Sequence, residues 1–218
     1  MIIHYEGYRV IPWILLILVL LNGLVFLATG YSFVFWLILT LSISFLLMNF
    51  WFFREPGTVK KGAPGEVISS ADGKIVVIEP VRENEYFGAE KMQISVFMSL
   101  LNVHINHVPV EGEIVYQKHH KGRFLPANLA KSSGENERCT TVIRTPMGED
   151  ILVRQVAGIL ARKIVTYKKK GEKVSLSDQL GFIRFGSRVD IFLPVTAEVG
   201  VQMNQEVKGG ITVLGHIK

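Results

Sequence analysis

Cysteine is nearly absent from this chain. Cys139 is the only one among 218 residues, which excludes an intrachain disulfide and leaves no sign of an oxidising compartment. Opening the apolar run Cys139-Thr140-Thr141-Val142-Ile143, it reads as a packed small hydrophobe rather than a nucleophile. Charge is missing along the N-terminal stretch: Glu6 and Arg9 are the only formal charges before Arg54. Basic runs interleaved with aromatics are also missing, so the net charge of +5 does not point to nucleic acid. Lys168-Lys169-Lys170 reads as a solvated turn.

The uncharged stretch Val10 to Phe53 is about twice the roughly 20 residues that one bilayer-crossing helix needs. It divides at Thr29-Gly30-Tyr31-Ser32 into one arm from Ile11 onward and a second from Phe33 to about Phe52. Pro12 is placed as a first-turn proline, and Trp13, Tyr31, Trp36 and Trp51 lie near the expected interfaces. A signal peptide has one short apolar region and a small-residue cleavage site, and a buried core hairpin needs a polar face; neither pattern occurs. The expectation is a transmembrane helical hairpin over residues 1–54. Arg9 precedes it, Arg54, Lys60 and Lys61 follow it, and its turn is uncharged. That bias puts both ends on the cytoplasmic side of the cell membrane.

Residues 55–218 are long enough to bury one sizeable core. Apolar residues come there in short β-branched runs between turn formers, among them Lys74–Ile78, Gln93–Phe97, Gly112–Tyr116, Ile151–Val153 and Val189–Leu193. The expected fold is an all-β domain, barrel- or sandwich-like with few short helices, and α+β is the second choice. Ala127 to Ser133 is a helical turn or a loop. A near-repeat, Glu172 to Ile183 echoed by Gln205 to Ile217, suggests two related hairpins.

Three motifs could carry chemistry. Asp72-Gly73 alone is a hairpin turn. His104 and His107, three apart, would point to opposite faces of a strand, so a shared metal fits poorly; either is a catalytic group or a satisfied polar one. Gly186-Ser187, alone a turn signal, interrupts the apolar run Gly181 to Asp190.

In order, Ala71-Asp72-Gly73, Asn102-Val103-His104-Ile105-Asn106-His107-Val108-Pro109 and Arg184-Phe185-Gly186-Ser187-Arg188 resemble the phosphatidylserine decarboxylase proenzyme family. The likeness is greatest to its short-form branch, which includes archaetidylserine decarboxylases. It extends to Lys121–Ala127, Glu135–Arg138, Gln155-Val156-Ala157-Gly158 and Ala161-Arg162. Many family members carry Leu-Gly-Ser-Thr at the cut site where this chain has Phe185-Gly186-Ser187-Arg188.

The resemblance implies self-cleavage between Gly186 and Ser187 into a large chain, 1–186, and a small chain, 187–218. Ser187 becomes a covalent pyruvoyl group (a bound pyruvate), and no metal or soluble cofactor is needed. His107 takes the hydroxyl proton of Ser187 while Asp72 holds its imidazole, and His104 serves as the acid-base group in decarboxylation. The implied partners are an anionic phospholipid substrate, the membrane and the two chains of one precursor, with a homodimer left open. Arg184 and Arg188 flank the reactive residue as candidate phosphate or carboxylate contacts, or are solvent-facing strand charges. The implied reaction turns phosphatidylserine into phosphatidylethanolamine, and archaetidylserine is the alternative substrate. The competing classes are a non-enzymatic membrane-anchored β domain and a serine hydrolase that keeps its chain intact.

Overall fold

A computed structural model describes residues 2–57, 62–127, 132–159, 164–183 and 186–217, and it divides into two compact units, Met1–Gly57 and Thr58–Lys218. The first unit contains β1 (Ile2–Ile3), α1 (Tyr5–Thr29), α2 (Phe33–Phe52) and β2 (Arg54–Glu55), with β2 antiparallel to β1. The Ser32 side chain caps α2 by accepting from the Phe35 N–H. Helix α1 starts earlier than the apolar pattern suggests. The His4 side chain accepts from the Glu6 N–H and places Glu6 in the first turn, so the helix is under way before Pro12. Pro12 therefore lies inside the helix rather than in its first turn, a correction whose cause is the polar cap upstream. Both helices are long and apolar enough to cross a bilayer, and large residues such as Ile17, Leu20, Leu27, Phe33 and Leu47 lie exposed along them. Surface of that kind suits lipid, and the Asn22 amide bonds the Ser42 hydroxyl between the helices at 2.9 Å, as polar groups do within a membrane. These helices mark the chain for membrane association.

The second unit is mostly β. In chain order it comprises β3 (Glu66–Ile68), β4 (Gly73–Glu83), β5 (Ala89–Met98), β6 (Ile105–His107), β7 (Gly112–His120), the short helix α3 (Ser132–Glu135) and β8 (Arg138–Arg144). Then follow β9 (Asp150–Val156), β10 (Ile164–Thr166), β11 (Lys173–Val174), β12 (Gln179–Ile183) and β13 (Ser187–Leu193). β14 (Glu198–Val199), β15 (Glu206–Val207) and β16 (Val213–His216) complete it. Eight strands form an antiparallel sheet in the order β11-β7-β8-β9-β13-β5-β4-β15, and two three-stranded sheets, β10-β12-β6 and β14-β16-β3, accompany it. Ile75, Ile94, Val96, Ile143, Ile151, Val153, Leu180 and Leu214 belong to one continuous core.

The near-repeat is real in space but does not form two hairpins. β11 and β15 are the outermost strands of the large sheet, whereas β12 and β16 are the middle strands of the two small sheets. Each repeat thus sends its two strands to different sheets, because the partners that bury them are distant in sequence.

β13 is central to the large sheet, and all seven of its residues are buried. Side chains alternate across a strand. Val189, Ile191 and Leu193 join the main core, while Phe192 packs on the other face with Val142 and Leu152. The tip of the β4–β5 hairpin folds over that second face, where Tyr86 and Phe87 pack against the same cluster.

Candidate active site

The ends of five strands meet at one end of the large sheet. β13 begins at Ser187, which pairs with Met98 at the end of β5; Lys74, near the start of β4, pairs with Phe97. On the other side Arg188 pairs with Val156, the last residue of β9, and Val156 pairs with Arg138, the first of β8. This register brings Asp72, Met98, Gly158 and Gly186-Ser187 to a common edge. The Gly181–Asp190 run is divided there between β12 and β13, with the Gly-Ser bond at the entrance to β13.

Gly186 has φ +69, a left-handed conformation that glycine adopts without penalty. Its N–H donates to His104 Nε2 at 3.2 Å, and His104 Nδ1 bonds the Asn102 carbonyl at 2.9 Å. That pattern assigns the neutral ring with its proton on Nδ1 and a lone pair on Nε2. The Gly186 carbonyl lies against Gly158, where a Cβ would stand 2.3 Å from that oxygen. Only glycine at 158 leaves the carbonyl its seat.

Ser187 is fully buried, and its hydroxyl donates only to Met98 Sδ, at 3.3 Å, among the described residues. A thioether is a weak acceptor. The Asn106 amide donates to the same sulfur at 3.6 Å and accepts from Gln155 Nε2 at 2.7 Å. Gln155 Oε1, also buried, has no hydrogen-bond partner among the described residues. Beside the Met98 sulfur that Ser187 bonds, then, lie two buried side-chain amides, Asn106 on β6 and Gln155 on β9.

His107 stands on β6, and its backbone N–H donates to the Ser70 carbonyl at 2.7 Å, tying it to the turn that carries Asp72. The ring's Nδ1 bonds the Ser177 carbonyl at 3.1 Å, so that carbonyl orients the imidazole. Ser177 is one of two non-glycine residues with positive φ among the described residues, at 68°. Such a conformation is held only by its surroundings; here these include the Ser177 hydroxyl bond to the Gly210 carbonyl at 3.3 Å. An Asp72 carboxylate oxygen accepts from the Gly209 N–H at 2.8 Å.

Arg188 is 1% exposed and belongs to the opposite face from Ser187. It is not a solvent-facing strand charge. Its guanidinium pairs with Asp190, which also accepts from the Ser133 hydroxyl. The same face carries Arg154, bonded to Glu83 at 2.6 Å and Glu85 at 3.0 Å, with His120 on Glu85 at 2.6 Å. Burial raises the pKa of both glutamates, but hydrogen bonds outweigh it: backbone N–H groups and Arg154 for Glu83, and His120, Arg154 and Thr140 for Glu85. Both carboxyls end below their ordinary value. Burial pushes the Cys139 thiol up to about 11, in keeping with a packed side chain. Arg184 and Ala161-Arg162 lie outside the described residues. No group of three or more His, Cys, Asp or Glu suited to a metal occurs among the described residues.

The structure thus brings His104 to the Gly186-Ser187 bond and places the Asp72 turn beside the His107 strand. Asn106, Gln155, Gly158 and Ser177 complete the surroundings; the first three lie within the motifs that carry the family resemblance, without having been singled out there, and Ser177 had no such signal.

A family model described as phosphatidylserine decarboxylase matches residues 45–215. The phosphatidylserine decarboxylase proenzyme of Bacteroides thetaiotaomicron is 45% identical over 217 residues, covering 99% of this chain and 95% of that protein. That of Cytophaga hutchinsonii is 46% identical over 215 residues, covering 98% of both chains. The proenzyme of Parabacteroides distasonis is 44% identical over 216 residues, covering 99% of this chain and 98% of its own. A match of this length, on a chain whose Gly-Ser bond lies against a histidine at the entrance of a buried strand, makes this protein a member of the phosphatidylserine decarboxylase family.

Proposed function

We propose that this chain is a proenzyme that cuts itself between Gly186 and Ser187 and then decarboxylates phosphatidylserine to phosphatidylethanolamine. Family membership carries the reaction, and the seat of the Gly186 peptide between His104 and Gly158 is the observation that carries the cut.

In the cut, Ser187 Oγ bonds to the Gly186 carbonyl carbon, the carbon–nitrogen bond breaks, and the hydroxyl proton passes to the freed nitrogen. Serine needs a neighbouring base for this. His107 is the base in our reading: its Nδ1 is occupied by the Ser177 carbonyl, which leaves Nε2 as the acceptor. Asp72, on the turn tied to the His107 strand, supplies the negative charge that favours the imidazolium. Removal of the Ser187 Cα proton then expels the Gly186 carboxylate, and water displaces ammonia at position 187.

The surroundings fit the resulting group. The Asn106 amide, now spent on a thioether, is a better donor to a carbonyl oxygen at 187, and Gln155, bonded to Asn106, has an Oε1 without a hydrogen-bond partner among the described residues. The pyruvoyl group supplies the electron sink for loss of CO2. His104 Nε2, released from the Gly186 N–H when the chain parts, moves the proton to the carbon that lost CO2. Arg184 remains a candidate headgroup contact. Arg188, on the opposite face, acts in this reading by holding β13 through Asp190.

Arg9 before the hairpin and Arg54 after it support a catalytic unit on the cytoplasmic face of the cell membrane. Assembly as a homodimer is a further part of the proposal, and cross-linking of membranes tests it. For the reaction, the test is a pair of variants. Ser187→Ala is expected to stay full-length and inactive. His104→Ala is expected to be cut yet fail to release CO2 from phosphatidylserine. If His104→Ala also stays uncut, the division of labour between the two histidines is wrong; release of CO2 from archaetidylserine alone would move the substrate to ether lipids.

A further inference from the structure

Among the described residues of the catalytic unit, the loops around Ser187 carry most of the exposed large hydrophobic side chains. Seven large hydrophobic side chains are exposed among its described residues; four of them, Leu100, Leu101, Phe124 and Ile159, belong to loops at the Ser187 end of the large sheet. Leu100 and Leu101 sit between Met98 and His104, Ile159 directly follows Gly158, and Phe124 follows the end of β7. The strand order β7-β8-β9-β13-β5 sets these loops in a row. Four strand spacings of about 4.8 Å make it roughly 19 Å long.

The exposure of the leucines is built in. Asn102 Oδ1 accepts from the Ser99 N–H at 2.8 Å and the Ser99 hydroxyl at 2.7 Å, and the Asn102 N–H donates to the Ser99 carbonyl at 3.1 Å. A turn stitched this way holds Leu101 outward, 69% exposed. Its Asn102 carbonyl is also the partner of His104 Nδ1, so the turn that presents the leucines orients the catalytic ring. At the β7 end of the row, Lys121 and Arg123 are exposed beside Phe124, Arg123 in a solvent-exposed pair with Glu135 at 3.3 Å that a headgroup phosphate would have to share or displace. Apolar tips flanked by cations suit the headgroup–acyl boundary of an anionic bilayer.

We infer that this rim is a membrane-docking surface: Leu100 and Leu101 enter the acyl boundary, Lys121 and Arg123 meet anionic headgroups, and the lipid reaches Ser187 without leaving the bilayer. The inference rests on the lipid substrate of the proposed function.

The full chain in anionic phospholipid vesicles tests it. Cys139 is 2% exposed and its thiol is held protonated, so Leu101→Cys creates a single reactive thiol for a polarity-sensitive maleimide dye. Val195→Cys, on an exposed position just beyond β13 at the opposite end of the sheet, is the reference. The Leu101 dye is expected to shift to the blue and be quenched by lipids brominated on their acyl chains, and the Val195 dye is not. The double variant Leu100→Ser/Leu101→Ser is expected to raise KM for vesicle phosphatidylserine about tenfold more than KM for a water-soluble short-chain phosphatidylserine. Equal, water-like signals from both dyes would overturn the inference, as would an equal loss on both substrates. Should the wild-type chain release CO2 from neither substrate, the decarboxylase reading fails, and the dye pair still decides whether the rim docks.

Discussion

The two faces of β13 treat adjacent residues in opposite ways. On one face the Ser187 hydroxyl meets the Met98 thioether, the Asn106 amide donates to the same sulfur, and Gln155, bonded to Asn106, has an Oε1 with no hydrogen-bond partner among the described residues. On the other, Arg188, Asp190, Ser133, Arg154, Glu83 and Glu85 form a connected set of charge-assisted bonds. Both faces are buried, so burial alone does not mark the reactive one. What separates them is the kind of partner: the structural face sets charge against charge, even where Arg138 Nε lacks a hydrogen bond and stands 3.8 Å from Glu85, while the reactive face keeps weak neutral partners that a new carbonyl group can displace.

The contrast can be broken hardest at Gly158. Gly158→Ala drives a Cβ onto the Gly186 carbonyl, and displacement of the scissile bond should slow cleavage roughly 100-fold or more, seen as uncut chain on a denaturing gel. Gly215→Ala, whose Cβ would stand 2.4 Å from the Glu198 carbonyl oxygen, introduces a similar clash away from the site and should still be cut. On the paired face, Arg154→Met takes the guanidinium from two buried carboxylates that keep their other hydrogen bonds and should cost about 3 kcal/mol in thermal unfolding, while molecules that fold still cleave.

Much of this was legible in the sequence. The β-branched runs between turn formers anticipated β4, β5, β7, β8, β9 and β13; the motif order grouped Asp72, His104 and His107 with Gly186-Ser187 but expected His107 at the Ser187 hydroxyl, whereas the contact at the Gly-Ser bond is made by His104. Pairing was not legible, because strands such as β12 and β6 find each other across the chain; hence the near-repeat resembled hairpins that the sheets do not contain. The helix start was obscured by reading apolar content ahead of the cap at His4. For Arg188 the period of two already set it opposite Ser187, but what waited on that face, Asp190 and the folded-over hairpin tip, is tertiary.

A smaller effect comes from acid. Glu83 and Glu85 titrate lower in the folded chain than when unfolded, so the unfolded chain binds protons first as pH falls. Their stabilisation is complete above the ordinary glutamate range and is lost as pH falls through and below it. Melting temperatures taken between about pH 6 and pH 3 should show that decline, and Glu83→Gln should flatten it. The smallest change is expected from Met98→Leu, which removes the sulfur at nearly constant volume. Cleavage should persist, with stability altered by less than about 1.5 kcal/mol on thermal unfolding.

The account turns on whether the Gly186-Ser187 bond is consumed to make the reactive group. Intact-mass analysis of the protein purified active from membranes measures this directly. It should give two chains, 1–186 and 187–218, the smaller one with an N-terminus that resists Edman degradation and reacts with a carbonyl reagent. A single uncut chain that nonetheless releases CO2 from phosphatidylserine would contradict it.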